Sequence, residues 1–443
     1  MVKVITYGTF DLFHEGHYRL LQRAKALGDY LIVGVTTEAY DQARGKLNVV
    51  DSLMTRIENV RKTGFADEII IEESPGQKVR DIQKYNIDIF TVGSDWVGQF
   101  DYLKEYCKVV YLERTKNISS TMLRNQNKPI QRIGIIGTGR IAERFMPEVK
   151  LVSGINTQGI YNPHEERAIS FAKKWQINSY TEIEDFFAAV DSVYIASPHD
   201  THYDYIKMSL EHGKHVLCEK PMVLKKAQAE ELFSFAKQHN LILFEAIKTA
   251  YCPGFSKLLG IACSGMIGTI HNIEACFTKL ENPNSRELTD LKFGGSFTEL
   301  GSYTMLPIIK IFGTEPEDIR FDVIKGENGL DIFTKAYFKY PNGLGTATCG
   351  LGVKSEGKLI ISGTKGYIVV EAPWWKTSYF EVHYENPDDV EKYSDRFLGD
   401  GLRYEISDFL SRINGDTKNE FKLTRQESVA MAGIMEKFLQ ENR

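Results

Sequence analysis

Two α/β units in tandem, the second running on into a largely antiparallel sheet, are what the apolar runs of this 443-residue chain predict. Three observations carry that expectation. Short β-branched runs alternate with helically spaced ones through the first third of the chain. The alternation stops in the polar stretch Asn125-Gln126-Asn127-Lys128-Pro129 and restarts at Arg132–Ile136, directly before a glycine-rich turn. From about Ile267 onward, strand-like stretches follow one another with few helices between them.

Taken in order, the first strands are expected at Lys3–Tyr7, Tyr30–Val35, Glu68–Ile71, Ile87–Val92 and Val109–Leu112, with helical patterns such as Gly16–Leu27 and Leu53–Thr63 between them. That order implies a parallel, doubly wound sheet. The second unit repeats the alternation through Arg132–Ile136, a strand ending near Tyr161, Asp191–Ala196, Lys214–Cys218 and Leu241–Glu245. Thr269–Phe277, Thr334–Phe338, Gly343–Gly350 and Tyr367–Glu371 read as strands of the antiparallel sheet, and Arg403–Ile413 and Glu427–Leu439 as closing helices. Boundaries are expected at residues 1–128, 129–250 and 251–443, about three domains of ordinary size, with the closing helices free to pack back on the middle one.

Composition narrows the class. Hydrophobic residues at 42% and charged residues at 26% fit a soluble chain with a sizeable core. A net charge of -5 argues against a nucleic-acid or membrane footprint. The six cysteines have no CxxC spacing and no histidine cluster beside them, so they read as free thiols and not as a metal site. Met1-Val2-Lys3-Val4-Ile5 enters a strand without signal-peptide character, and cytoplasmic placement is the expectation.

Gly8-Thr9-Phe10-Asp11-Leu12-Phe13-His14-Glu15-Gly16-His17 joins the first strand to the first helix. Two histidines three apart at a helix entrance can face one space, which backbone N–H groups and the helix dipole make receptive to anions. Imidazoles there can donate to a phosphoryl oxygen as charge develops.

This segment resembles the HxGH signature of the cytidylyltransferase family of nucleotidyltransferases, and Arg114-Thr115-Lys116-Asn117-Ile118-Ser119-Ser120-Thr121 resembles that family's RTxxISST motif. Arg44-Gly45-Lys46, Arg56 and the run Gly93–Asp101 agree, so the likeness covers essentially residues 1–124 and is strongest to the glycerol-3-phosphate cytidylyltransferases, which supply CDP-glycerol for teichoic-acid-type polymers. It implies a doubly wound nucleotidyltransferase fold and attack of a polyol phosphate on the α-phosphorus of CTP. His14, His17, Lys46 and Arg114 would carry the charge work. Gly8, Thr9, Phe10, Asp95, Arg114, Thr115, Ser119, Ser120 and Thr121 would hold the nucleotide, with Mg²⁺ accompanying CTP. For Arg44 and Lys46 a solvated charge run is the competing reading.

Ile133-Gly134-Ile135-Ile136-Gly137-Thr138-Gly139-Arg140-Ile141-Ala142 is a strand, turn and helix with GxGxxA spacing. Gly137 permits the tight turn, Gly139 lets a pyrophosphate approach, and Ala142 lets helix pack on strand. At the second strand end, Tyr161-Asn162-Pro163-His164 offers neither the carboxylate that favours NAD nor the arginine that favours NADP, so cofactor preference stays open. Ser197-Pro198-His199 and His202 follow the next strand, and Glu219-Lys220-Pro221 the one after.

Glu219-Lys220-Pro221 resembles the EKP motif of the Gfo/Idh/MocA oxidoreductases, and Glu245-Ala246 falls at that family's EA pair. The likeness covers residues 131–443 and implies a Rossmann domain followed by an α+β domain that walls the substrate site and takes part in homo-oligomers. Gly137, Thr138, Gly139, Arg140, Ile141, Asn162, Ser197, Pro198, His199, His202, Glu219 and Lys220 would hold NAD(P)H. Lys220 would orient substrate and act in proton transfer. One departure concerns the substrate. Where many relatives place Asp and, four residues on, His, this chain has Glu299 and Tyr303. Tyr303 can still donate to a carbonyl, but a substrate unlike that of the Asp/His sugar dehydrogenases is implied. Lys248 is placed to meet an anionic substrate group, with a solvated lysine as the competing reading.

Together the halves imply a bifunctional enzyme that reduces a keto-phosphate with NAD(P)H and couples the polyol phosphate to CTP. The alternative is a cytidylyltransferase carrying a non-catalytic NAD(P)-sensing module. Small molecules are the expected partners, with no nucleic acid and no membrane.

Overall fold

The computed structural model describes residues 1–37, 40–41, 49, 51–74, 76–113, 130–395, 397–415 and 422–442. The chain divides into two compact units, Met1–Ile130 with Leu151–Gly154, and Gln131–Lys150 with Ile155–Arg443.

Among its described residues, the first unit carries a five-stranded sheet built from β1 (Lys3–Gly8), β2 (Tyr30–Thr36), β3 (Glu68–Glu72), β4 (Ile89–Gly93) and β5 (Lys108–Leu112), in the order β3-β2-β1-β4-β5. Every pairing is parallel. Sequence neighbours point to opposite faces of a strand, and here both faces are buried. Val4, Leu31 and Val33 pack with Leu21 and Ala24 on one side. Ile5, Ile32 and Phe90 pack with Ile82 and Leu103 on the other. The order reverses between β1 and β4, so the crevice of this sheet opens at their carboxyl ends, where the Gly8–His17 segment begins. The polar stretch Asn125–Pro129, read as a linker, lies outside the described residues.

The second unit opens with a parallel sheet in the order β11-β10-β9-β6-β7-β8, from β6 (Gln131–Ile136), β7 (Ile155–Tyr161), β8 (Asn178–Tyr180), β9 (Ser192–Ile195), β10 (His215–Glu219) and β11 (Leu243–Ala246). Its reversal falls between β6 and β9. A second sheet follows, in the order β13-β14-β15-β12-β16-β17-β18-β19. Its strands are β12 (Ile270–Thr278), β13 (Asp318–Lys325), β14 (Asp331–Tyr340), β15 (Gly343–Gly350), β16 (Leu359–Gly363), β17 (Gly366–Val370), β18 (Tyr379–Tyr384) and β19 (Val390–Ser394). Only the β12–β15 pairing is parallel among the described strands, which makes the sheet mixed and mostly antiparallel.

One long element departs from the sequence expectation of few helices here. Ser296–Phe312 is a helix lying against β12, β14 and β15. It is buried on nearly all sides and carries Pro307, so it lacks the polar face that makes a helix legible as a periodic pattern. The closing helices pack on the Rossmann layer. Leu402–Ile413 lies on the helix Arg140–Val149, where Arg403 grips Glu148 with Nε and Nη2 at 2.9 and 2.6 Å. Arg425–Asn442 lies on Lys226–Gln238 and on Ser296–Phe312, and gives Ala432 to the Rossmann core. Among the described residues no helix is long and apolar enough to cross a membrane.

Candidate functional site

In the first unit the chain leaves β1 at Gly8 and turns through two non-glycine residues in the left-handed region, Phe10 at φ 54° and Leu12 at φ 47°. Such residues persist where the surroundings hold them. The brace is Arg56, fully buried, whose Nη1 donates to the carbonyls of Thr9 at 2.9 Å and Thr36 at 2.7 Å, and whose Nε donates to Asp51 O at 3.0 Å. Asp41 accepts from Thr9 Oγ1 and Thr36 Oγ1 at 3.0 and 2.5 Å. Asp51 Oδ2 accepts from Leu12 N, and Asp51 N donates to Asp11 Oδ1, each at 2.8 Å. Asp11, Asp41 and Asp51 were not among the residues the sequence singled out.

That brace delivers the two histidines. His14 caps the helix Glu15–Lys25, its Nδ1 accepting from Gly16 N at 3.0 Å. An Nδ1 that accepts leaves the proton of the neutral ring on Nε2, so His14 is set to donate from Nε2. His17 stacks on it at 4.0 Å between centroids and lies against Phe10 and Phe13, each at 5.4 Å. Asp95 stands in the turn Ser94–Trp96 that follows β4, the strand beside β1. Arg44, Lys46, Arg114, Thr115, Ser119, Ser120 and Thr121 lie outside the described residues.

In the second unit most of the residues singled out by sequence line one cavity of about 1370 Å³. At its floor, Gly137 has φ 104°, and a Cβ there would stand 2.6 Å from the Ala196 carbonyl, so only glycine fits. A Cβ on Gly139 would meet nothing closer than that same oxygen at 3.9 Å. The space it leaves faces the cavity at the start of the helix Arg140–Val149, an arrangement that fits a dinucleotide pyrophosphate. Thr138, Arg140, Ile141, Ser197 and Pro198 line the same wall.

The end of β7 carries no carboxylate: Asn162 donates to Thr138 Oγ1 at 3.1 Å and accepts from His164 N at 2.9 Å. Arg144 and Arg167 line the cavity here with no ion pair among the described residues, and Arg140 is held by Glu287. His202 is fully buried with Nδ1 2.9 Å from Pro221 O and Nε2 3.0 Å from Ser197 O. Its ring therefore spans the two loops that shape the cavity and has no nitrogen left for a ligand.

Lys220 leaves β10 into the centre of the cavity. Its Nζ donates to Glu299 O at 2.8 Å and to Glu299 Oε1 at 3.2 Å, and lies 5.7 Å from the centroid of Tyr303. Glu299 and Tyr303 sit one turn apart on the helix Ser296–Phe312, so both reach the same space. On the far side of Glu299, His199 Nε2 lies 3.7 Å from Oε2, and burial pushes its imidazole well below the usual histidine range. Burial, with Glu219, Glu405 and Glu299 nearby, raises the Tyr303 phenol well above its ordinary value. Glu219 itself is capped by the Tyr194 hydroxyl at 2.5 Å.

Sequence reasoning missed one wall. Phe277 of β12 stacks on Trp375 at 3.5 Å and meets Tyr303 at 5.4 Å, and Lys279, Arg286 and Lys376 complete that side with Lys248. No local motif marks Phe277, Lys279, Arg286, Trp375 and Lys376, because they come from a strand and its end, a short helix and a turn that only the fold brings together. Among the described residues no group of three or more His, Cys, Asp or Glu is placed to hold a metal.

Known proteins match each half separately. Residues 5–126 match the cytidylyltransferase-like family, residues 131–247 the oxidoreductase family with an NAD-binding Rossmann fold, and residues 255–369 the GFO/IDH/MocA C-terminal domain. The glycerol-3-phosphate cytidylyltransferase of Bacillus spizizenii is 51% identical over 124 residues, which is 28% of this chain and 95% of that protein. The scyllo-inositol 2-dehydrogenase (NADP⁺) of Bacillus subtilis is 27% identical over 329 residues, 69% of this chain and 95% of that one. A 3-ketoreductase from Actinomadura kijaniata, solved with NADP and TDP-benzene, superposes with a TM-score of 0.61 at 22% identity, over 71% of this chain and 98% of that one, a likeness of fold. The HxGH loop, the Gly137 turn and the Lys220 cavity thus stand in the halves these families define, and the chain is a cytidylyltransferase-like domain fused to an oxidoreductase of the GFO/IDH/MocA family.

Proposed function

We propose that the chain makes a CDP-activated polyol for cell-surface polymer synthesis, with CDP-glycerol the most economical product. The second unit reduces a keto-phosphate such as dihydroxyacetone phosphate, and the first couples the resulting polyol phosphate to CTP. The observation that carries this reading is the 51% identity of the first unit to a glycerol-3-phosphate cytidylyltransferase, in one chain with an intact Lys220–Glu299–Tyr303 constellation. A module that merely senses nicotinamide would not need a buried ammonium and a phenol converging beside the cofactor.

When bound, the nicotinamide supplies the hydride for the carbonyl carbon. Lys220, oriented by the backbone carbonyl and Oε1 of Glu299, draws off charge as it builds on the carbonyl oxygen, and Tyr303 gives the proton that completes the alcohol. NADPH is the form this reading favours. Asn162 leaves room without a repelling carboxylate, and Arg144 and Arg167 stand ready for a 2′-phosphate. In the first unit an oxygen of the polyol phosphate attacks the α-phosphorus of CTP, the α–β anhydride bond breaks and pyrophosphate leaves. His14 and His17 bear the charge, with Lys46 and Arg114 in the roles their motifs assign, and Mg²⁺ entering with CTP.

The test is a panel of glycerol, erythritol and ribitol phosphates with CTP, followed by pyrophosphate release and product mass. It is run beside NADPH and NADH oxidation with the matching keto-phosphates. The coupled reading requires one pair of substrates to be turned over by both units. No nicotinamide oxidation with any three- to five-carbon keto-phosphate would overturn it.

A further inference from the structure

Lys248 follows β11 directly and opens the short helix Lys248–Tyr251. It is only 8% exposed, yet it lines the cavity and its ammonium makes no hydrogen bond or ion pair among the described residues. A buried ammonium without a partner is costly, and proteins retain one where a charge arrives to meet it. Of the three carboxyls that act on it, two are engaged elsewhere. Glu219 is capped by Tyr194, and Asp400 is held by Lys376 at 3.6 Å. Glu405 is fully buried with neither oxygen hydrogen-bonded.

Another neighbour that lines the same cavity is a cation. Thr249 Oγ1 donates to Trp375 O at 2.7 Å, which ties the chain beside Lys248 to the turn Trp374–Lys376. That turn is rigidly seated: the Trp374 indole N–H donates to Cys276 O at 2.8 Å, and Trp375 lies flat on Phe277. Lys376 lines the cavity beside Lys248, which feels it as a like charge. Lys248 and Lys376, two of the cations on that wall and one of them buried and unpaired, describe a receptor for a compact dianion. The stacked pair Phe277–Trp375 runs from the turn that carries Lys376 to Tyr303, so one small molecule in this cavity can present an anionic group to the lysines and a carbonyl to Lys220 and Tyr303.

We infer that Lys248 and Lys376 form a phosphate subsite of the oxidoreductase cavity, which selects phosphomonoesters of hydroxy-ketones over neutral ketoses and polyols. The inference rests on the proposed reading of the second unit as a keto-phosphate reductase, and adds the residues that impose that choice.

The full chain is loaded with NADPH and titrated with inorganic phosphate, and the nicotinamide fluorescence is read, because the first unit also binds phosphates but holds no nicotinamide. Saturable phosphate binding, weakened at least tenfold in Lys248→Met and in Lys376→Met and unchanged in the exposed control Lys437→Met, is the expected result. Wild-type melting temperature and NADPH affinity show that each variant is folded. Turnover of dihydroxyacetone phosphate and of dihydroxyacetone is then compared, with KM for the phosphorylated ketone raised tenfold or more by either variant and the neutral ketone unaffected. Phosphate that leaves the signal unchanged, or binds both variants as it binds the wild type, overturns the subsite. Phosphate binding lost in the variants while no keto-phosphate is reduced keeps the subsite and sinks the reductase reading. Reduction of a keto-phosphate with unaltered KM in both variants does the reverse.

Discussion

The Lys220 ammonium is held by a single residue from two directions: Glu299 receives it at the backbone carbonyl, 2.8 Å away, and at the carboxylate, 3.2 Å away. The carbonyl belongs to a helix buried on nearly all sides, so it fixes where Nζ sits. The carboxylate shares itself with His199. Lys220 therefore comes to its substrate already placed, and little ordering remains to be done when substrate binds.

Removing the ammonium tests the assignment. Lys220→Met should lower kcat for ketone reduction by roughly 10²–10⁴-fold, with NADPH still bound as judged by its fluorescence. Tyr303→Phe should lower kcat and kcat/KM together, as expected when an interaction exists only in the transition state. Turnover at the wild-type rate in Lys220→Met would remove this residue from the chemistry.

His14 has two duties, and they can be separated. Its Nδ1 caps the helix Glu15–Lys25, and its Nε2 is the atom proposed to meet phosphate. His14→Ala loses both, costing about 1 kcal/mol of stability for the cap. His14→Asn keeps a capping oxygen, so its melting temperature should stay near that of the wild type. Cytidylyl transfer should fall by on the order of 10²–10³-fold in both variants. NADPH oxidation by the same preparations is the internal control. A His14→Asn enzyme with full transferase activity would leave His14 a structural cap alone.

Much of this was legible because the signals are local. The strand, loop and helix around Gly8–His17 and around Gly137–Ala142 are set by spacing within one turn, and both lie at the switch points of their sheets. Lys220 and Tyr303 came from motif position, and the helix Ser296–Phe312 brought them together although the helix itself was not expected. Lys376, Trp375 and Phe277 gave no signal. Trp375 meets Thr249 across 126 positions, and only the folded chain puts them side by side. Arg56 was noted for its motif, while its grip on the Thr9 and Thr36 carbonyls needed the fold.

Glu405 makes stability depend on pH in an unusual direction. Burial, and then Glu219, push its carboxyl well above the ordinary range. Above about pH 4.3 the unfolded chain has released this proton and the native state still holds it. The native state then binds more protons than the unfolded one, so the Glu405 contribution to stability falls as pH rises toward its native pKa. Glu405→Gln keeps the neutral shape and removes that slope. Its melting temperature relative to the wild type should climb between pH 5 and pH 8, by several degrees at the upper end. A difference that does not change across that window would mean the carboxyl titrates normally.

Lys248 gives the subsite its own pH signature. Burial, and then the adjacent Lys376, hold its ammonium below the usual lysine range, while Glu405, Asp400 and Glu219 act the other way. The charged form receives phosphate, so affinity is present below the Lys248 pKa and is lost as pH rises through it. Phosphate itself changes charge near pH 6 to 7, so the titration runs upward from pH 7.5, where the dianion dominates. Glu405 also ionises as pH rises and would repel phosphate, so the same titration is made in Glu405→Gln. The dissociation constant of inorganic phosphate, read by nicotinamide fluorescence, should increase toward pH 9.5 in the wild type and still do so in Glu405→Gln. Lys248→Arg keeps its charge over the whole range, and its curve should be flat by comparison. A wild-type curve that Lys248→Arg reproduces would show that the titrating group lies elsewhere.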